Sequence, residues 1–486
     1  MLCPVSVIPG IDSLEQLYEP LAHLPWTSWR ALWLGNTLQG RNAVLIFLPL
    51  LPLLRLLPVR YLRAGIILTG LLFVAYVFGV AYLALWLAMC WAFYLLSERF
   101  AVEVKRTDVV PWGPPLAAIL IIIAQFALIH LIDDIRLSAA TNTWLLTHLP
   151  WLFPLGARGL SWEPGWFGTG RQLFAVMLDN THDVGAAYLT MRMVHYFSEI
   201  KRGTIRPEQR SLSRFFAYVC YAPTLIQGPI ERYSEFNAEL ESCRQRRGAR
   251  DLLAGLGRIL IGLIKIVFAL AYLIPWMDGL GYFDPQFYQH PYQTPSYLRL
   301  FFTIHLVVIL LYLLFSAYCD VAIGMSRLLG IRIAENFHRF WLARSLTDMW
   351  RRWHITLSFI LRDYIFFPLT RRRWNSLLAL GLTFGICGAW HSLEPGYLMW
   401  GVVMGLMVAV NQRWTRWMRD LDRHPQRRLS RVRRAWLKFQ PLPKLCAWLL
   451  TINVFFMSGW ICFWGLTGFR VLWELLRRPV GWLAGG

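Results

Sequence analysis

The chain has 486 residues, of which 56% are hydrophobic and 16% charged, whereas soluble domains carry about a quarter of charged residues. The formal net charge is +21, but no nucleic-acid-binding motif accompanies the basic residues, which argues against DNA or RNA as a partner. The Lys and Arg residues instead lie between apolar runs, as in the cytoplasmic loops of a membrane protein.

Apolar runs that are long enough, or nearly long enough, to cross a bilayer recur along the chain, since about 20 apolar residues span the hydrocarbon core. In chain order they cover 42–59, 64–96, 116–132, 184–197, 215–226, 252–274, 298–318, 377–390, 397–410 and 445–464. The 64–96 run is too long for one span, and we expect it to turn or kink near Gly79. No cleavable signal peptide is apparent, so the apolar segments themselves must direct membrane insertion. The pattern predicts an all-α integral membrane protein with about ten or eleven transmembrane or re-entrant helices.

Three stretches interrupt this pattern. Segments 141–171 and 275–295 are rich in aromatic residues and Pro, and they predict interfacial loops. The basic run 413–438 contains three Trp residues and predicts a cytoplasmic amphipathic helix against anionic headgroups. Because the basic residues 371–373 and 413–438 flank the apolar hairpin, we expect its turn to point away from the cytoplasm, with His391 recessed beneath the outer surface rather than exposed on it.

The highest density of polar residues among aromatic ones lies in segment 336–369. A single helix over 346–361 would align Trp350, His354 and two leucines on one side. His354 and His391 are the sharpest candidates for chemistry, because an imidazole exchanges a proton near neutral pH. The alternative is that each is a hydrogen-bonded structural histidine.

Other polar residues in apolar surroundings have simpler interpretations. For His305, which lies mid-span, a cross-helix hydrogen bond is the expected role, and for His130 it is anchoring at the membrane interface. Asp320 and Asp363 are expected to be halves of buried ion pairs. The sequence has no CxxC pair and no GxSxG elbow, so neither a metal site nor a serine nucleophile is expected.

Five motifs in sequence order resemble those of bacterial membrane-bound O-acyltransferases, the MBOAT family. This branch includes the alginate O-acetylation membrane protein and the D-alanyl transferase of teichoic acids. The motifs are HYFSEIKRG at 195–203, PTLIQGPIERY at 223–233, SAYCDVAIG at 316–324, WRRWH at 350–354 followed by Ser358 and RDY at 362–364, and GAWH at 388–391. Departures at Leu314, Thr370 and Ser392 leave the substrate open.

The resemblance implies a fold in which helices form a ring around a central funnel or tunnel. It implies a catalytic core at 184–411, preceded by membrane helices and interfacial loops at 1–183. A basic cytoplasmic segment and a C-terminal membrane helix follow at 412–486. The expected location is the inner (cytoplasmic) membrane of the cell, with several passes.

The resemblance also implies transfer of an acyl group, acetyl in our expectation, to a hydroxyl of an extracytoplasmic polysaccharide. The donor is a cytoplasmic thioester, acetyl-CoA or an acyl carrier protein, with no tightly bound cofactor and no metal. His391 is the implied base and His354 the second functional histidine. Expected substrate-binding residues are Trp350, Arg352, Trp390, Asn336, Asp320 and Ser358. Membrane lipids and a periplasmic acetyltransferase are expected partners, and nucleic acid is not.

Three alternatives remain open. A transporter or flippase for a lipid-linked sugar would also be basic, aromatic and polytopic. Within the same family, the acceptor could instead be a lipid or a protein. The chain could also be a scaffold that only recruits a periplasmic transferase. Consumption of a thioester donor by the isolated protein separates the enzyme from the transporter and from the scaffold.

Overall fold

A computed structural model describes residues 54–78, 80–107, 187–225, 227–246, 248–279, 297–391, 395–424, 428–438, 442–464 and 473. Every regular element within these residues is helical, which confirms the all-α prediction. Several predicted features lie outside the described residues: the 116–132 span, the 141–171 loop, His130, most of the 42–59 span and the kink near Gly79.

The described residues form a series of helices along the chain. In the first part they are α1 (Val59–Phe78), α2 (Val80–Thr107), α3 (187–202), α4 (Leu212–Val219), α5 (Tyr233–Ser242), α6 (Ala249–Phe268), α7 (Ile274–Gly279) and α8 (Tyr297–Leu328). They continue as α9 (Leu346–Trp350), α10 (Ile355–Leu361), α11 (Phe367–Arg371), α12 (Ser376–His391), α13 (Pro395–Arg423), α14 (Arg428–Lys438) and α15 (Leu442–Trp464). π-Helical turns at Ala269–Leu273 and Arg362–Phe366 join α6 to α7 and α10 to α11.

Three stretches of the described helices are long and apolar enough to cross a membrane: Ala249–Leu273, His305–Leu328 and Leu442–Gly459. They coincide with the predicted spans at 252–274, 298–318 and 445–464. On α6 the buried positions Gly255, Ile259, Gly262 and Ile266 recur with helical spacing, while leucines on the opposite face are exposed. An exposed apolar face of this length is what contact with lipid acyl chains requires.

The chain divides into two compact units, each with its own buried core. The first comprises Met1–Val267 and Leu314–Ala334, and the second comprises Phe268–Leu313 and Glu335–Gly486. The core of the first unit is rich in aromatic side chains from α2, α3, α4 and α5. The core of the second unit is formed by aromatic and aliphatic side chains around α9, α12, α13 and α15.

A buried polar cluster lies in the first unit. The Arg192 guanidinium donates to the carbonyl oxygens of Tyr218 at 3.0 Å and Thr224 at 2.7 Å. The Glu231 carboxyl accepts the backbone N–H of Ala334 at 3.0 Å. Burial raises the pKa of Glu231 to about 8, although that N–H and the Arg192 charge act in the opposite direction. The family-like motif 223–233 therefore contributes Thr224 and Glu231 to a buried structural cluster.

The second unit is organised by the hairpin of α12 and α13. Gly388 on α12 lies against the Tyr397 carbonyl oxygen, and Gly401 on α13 lies against the Phe384 carbonyl oxygen, so an added Cβ would overlap either oxygen. Glycine at both positions lets the two backbones touch, which fixes the register of the hairpin. This contact sets the position of His391, which is the last residue of α12.

Candidate active site

The predicted single helix over 346–361 is wrong, because the chain breaks between α9 and α10. His354 has a φ of 45° and precedes the first residue of α10. The segment 336–338 satisfies the backbone at the break: the His338 N–H donates to the Arg352 carbonyl, and the Ile355 N–H to the Asn336 carbonyl, both at 2.9 Å. A left-handed residue ends the helical register, so His354 does not share a face with Trp350 along one helix.

Asn336 holds His354 in place. Asn336 is fully buried, and its Oδ1 accepts the Thr356 hydroxyl at 2.9 Å and the Thr356 backbone N–H at 3.3 Å. Because a backbone N–H can only donate, the amide atom there is oxygen. The His354 Nδ1 lies 3.2 Å from the same oxygen and therefore acts as the donor. In the neutral imidazole this leaves Nε2 as the basic nitrogen of His354.

His391 ends α12 beside the buried His354. Its ring centroid lies 4.7 Å from that of Trp390, 6.0 Å from Trp400 and 6.4 Å from His354. The His391 side chain is exposed, whereas only 3% of His354 is exposed. The two histidines thus form a pair in which one imidazole is fixed and the other is accessible.

Three other predicted site residues, Trp390, Trp350 and Arg352, also lie in the second unit. Trp390 packs edge-on to both histidine rings, with its centroid 6.1 Å from that of His354. Trp350 is buried against Phe384, with ring centroids 4.9 Å apart. The Arg352 Nε donates to Asp348 at 2.9 Å.

Ser358 has a local role at the break between α9 and α10. Its hydroxyl donates to the Trp353 carbonyl at 3.4 Å. Of the predicted residues, the structure therefore brings His354, His391, Asn336 and Trp390 together around the histidine pair.

Asp320 lies in the first unit, in an ion-pair cluster between two membrane helices. Its carboxylate oxygens lie 2.5 Å from the Arg258 Nε and 2.5 Å from the Lys265 Nζ, and only 5% of its side chain is exposed. Lys265 also donates to the Ser316 hydroxyl at 3.0 Å. The ion-pair prediction for Asp320 is confirmed, and these contacts tie α6 to α8 within the first unit.

Two other described histidines, His305 and His195, have structural partners. His305 Nε2 faces the Asn453 Oδ1 on α15 at 3.2 Å, which confirms the predicted cross-helix contact. His195 Nε2 accepts the Tyr233 backbone N–H at 2.9 Å. Among the residues that the structure describes, no group of three His, Cys, Asp or Glu side chains is placed to hold a metal ion.

Two residues of the site were not predicted from the sequence. Trp400 on α13 packs against His391, and Thr356 completes the hydrogen bonds of Asn336. The hairpin pattern contained a signal for Trp400, since the close contact of α12 with α13 brings the first turns of α13 beside the end of α12. Nothing in the spacing of Thr356 pointed to its role, because the predicted continuous helix gave it no contact with Asn336.

Comparison with known proteins agrees with these motifs. The MBOAT, membrane-bound O-acyltransferase, family model matches residues 141–460. A teichoic acid D-alanyltransferase of Bacillus subtilis is 28% identical over 267 residues, 51% of this chain and 64% of the relative. A probable alginate O-acetylase of Pseudomonas putida is 30% identical over 285 residues, which are 58% of this chain and 52% of the relative. A peptidoglycan O-acetyltransferase of Helicobacter pylori is 31% identical over 261 residues, which are 52% of this chain and 44% of the relative.

The chain thus spans between 44% and 64% of the length of these three relatives. The family match, in contrast, covers well over half of the 486 residues. Together with the all-helical elements and the apolar spans, that match identifies an integral membrane protein of the membrane-bound O-acyltransferase (MBOAT) family.

Proposed function

We propose that this protein is an O-acyltransferase that moves an acyl group from a thioester donor to a hydroxyl acceptor, with His391 as the base. The observation that carries the proposal is the histidine pair: an exposed imidazole lies 6.4 Å, between ring centroids, from a buried one whose orientation Asn336 fixes. A thioester is already activated, so catalysis needs a base and a fixed arrangement of reactants.

In the proposed reaction, His391 removes the proton from the acceptor hydroxyl. The hydroxyl oxygen forms a bond to the thioester carbonyl carbon, the carbon–sulfur bond breaks, and the proton returns from the imidazolium to the leaving thiolate. A well-placed base contributes about 10²–10⁴-fold to such a rate. In this proposal the His354 Nε2 accepts a hydrogen bond from a substrate. Its partner is either the hydroxyl that receives the acyl group or an N–H of the thioester.

Arg352, Trp350, Trp390 and Ser358 belong to the segments that build this site, and we propose them as residues that shape the substrate passage. Asp320 has a different role in this proposal. Its two cationic partners occupy its carboxylate oxygens, so it stabilises the helices and does not contact substrate. No tightly bound cofactor is part of the proposal.

We further propose an extracytoplasmic polysaccharide acceptor, an acetyl donor on the cytoplasmic side and a multi-pass location in the inner membrane. The names of the relatives, which refer to alginate, peptidoglycan and teichoic acid, support this class of acceptor. The exposed arginines of α14 and of the end of α13 suit anionic lipid headgroups. They also suit an acidic donor, whether CoA or a carrier protein. A periplasmic acetyltransferase remains a proposed partner.

The test uses the full chain reconstituted in lipid vesicles with labelled acetyl-CoA and a panel of glycan oligosaccharides. Wild type is expected to form an alkali-labile, O-linked label, and His391→Ala to form none while it elutes as a folded protein. Movement of glycan across the bilayer without consumption of thioester would identify a transporter instead. Consumption of the thioester only when a periplasmic transferase is added would identify a scaffold.

A further inference from the structure

Trp400 stands beside the catalytic pair without belonging to any recognised motif. Its ring centroid lies 6.0 Å from that of His391 and 6.1 Å from that of Trp350. The Trp400 side chain is half-buried, and the neighbouring His391 side chain is exposed. Trp400 therefore forms one wall of the space in which His391 meets its substrates.

This wall is held rigidly. The neighbouring Gly401 lies against the Phe384 carbonyl oxygen, so α13 cannot move towards α12 at this point. Behind Trp400, Trp350 packs on Phe384 and on Phe455, with ring centroids 4.9 Å and 6.0 Å apart. Close-packed aromatic rings fixed by backbone contact do not separate to admit extra atoms without strain.

We infer that Trp400 limits the length of the acyl group that the site accepts. The inference rests on the proposed acyl transfer and names the specificity residue of that reaction. In this inference the indoles around His391 bound the place of the acyl group, and an acyl group longer than acetyl meets the indole of Trp400. One methylene in a hydrophobic pocket changes the kcat/KM for a substrate by about 10-fold or more. Removing the indole should therefore change the preference between short and long acyl donors.

The experiment compares acetyl-CoA, propionyl-CoA and butyryl-CoA with the full chain in lipid nanodiscs, and follows released thiol in the presence of the glycan oligosaccharides. Trp400→Ala opens the wall, and Trp400→Phe opens it in part while it keeps an aromatic ring. Trp374→Ala is the matched control. Trp374 is exposed and precedes α12 at the end opposite to His391.

Wild type is expected to prefer acetyl-CoA. Trp400→Ala should raise the ratio of kcat/KM for butyryl-CoA to that for acetyl-CoA by about 10-fold or more, with Trp400→Phe between the two. The control should keep the wild-type ratio. A gain with the longer donor cannot arise from misfolding, which lowers the rates for all donors.

If wild type transfers acetyl but both Trp400 variants keep the wild-type ratio, the inference about acyl length is overturned and the proposed function stands. If wild type releases thiol neither from the three CoA esters nor from an acetyl carrier protein, the proposed function fails and the inference fails with it.

Discussion

Replacing Asn336 by Ala should damage both the stability of the second unit and the rate of acyl transfer. The Asn336 Oδ1 accepts the hydroxyl and the backbone N–H of Thr356, and the His354 Nδ1 faces the same atom. Each buried donor left without an acceptor costs about 1–3 kcal/mol, so the loss of all three contacts should cost about 3–9 kcal/mol. His354 also loses the contact that fixes its ring, and a displacement of about 1 Å near the reacting groups costs on the order of 10²-fold in rate.

The chain provides a matched control in Asn411. Its Oδ1 accepts the Thr347 hydroxyl at 3.0 Å and the Thr347 backbone N–H at 3.3 Å, the same arrangement without a histidine. Both alanine variants should lower the melting temperature in nanodiscs, but only Asn336→Ala should lower kcat for the folded protein. Equal kcat values for the two variants would refute the positioning role of Asn336.

Three further predictions concern structure. Asp320→Asn leaves two half-buried cations with a neutral partner and should cost up to about 3–5 kcal/mol, seen as a lower melting temperature. An unchanged melting temperature would contradict the stabilising role of this ion-pair cluster. The pKa of Glu231 in the folded protein is raised to about 8. The protonated Glu231 carboxyl therefore stabilises the folded protein fully below the pKa that this group has in the unfolded chain, and this stabilisation is lost as the pH rises through 8. The melting temperature of wild type should therefore fall between pH 5 and pH 9 more than that of Glu231→Gln, and parallel curves would contradict this. In Gly401→Ala the added Cβ overlaps the Phe384 carbonyl oxygen, so this variant should prevent recovery of folded protein. Gly381→Ala should be tolerated, because the nearest atom to its added Cβ is 4.0 Å away. Equal recovery of the two variants would contradict the close contact of α12 with α13.

The membrane helices were predictable because their signal is composition over a long window. The spans at 252–274 and 445–464 needed only an unbroken apolar run, and α6 and α15 follow it closely. The ends of the helices were less predictable. Helix α13 continues past the apolar 397–410 run to Arg423, because arginines are good helix formers once the chain leaves the apolar region. The basic run 413–438 is therefore divided between α13 and α14.

The site was predictable as a set of residues but not as a geometry. His354 and His391 stand out by chemical type, yet their proximity depends on a left-handed break at His354 that spacing arguments cannot detect. The tertiary hydrogen bonds of the 336–338 segment overrode the local helix pattern. Trp400 was missed for a similar reason, since its role follows from the contact between α12 and α13.

The central claim, that His391 is the base, is tested most directly by chemical rescue. The His391 side chain is exposed and that of His354 is buried, so free imidazole can replace the first but not the second. With acetyl-CoA and a glycan acceptor, His391→Ala should regain acyl transfer in proportion to added imidazole, while His354→Ala should not respond. Full activity of His391→Ala without imidazole would contradict the assignment.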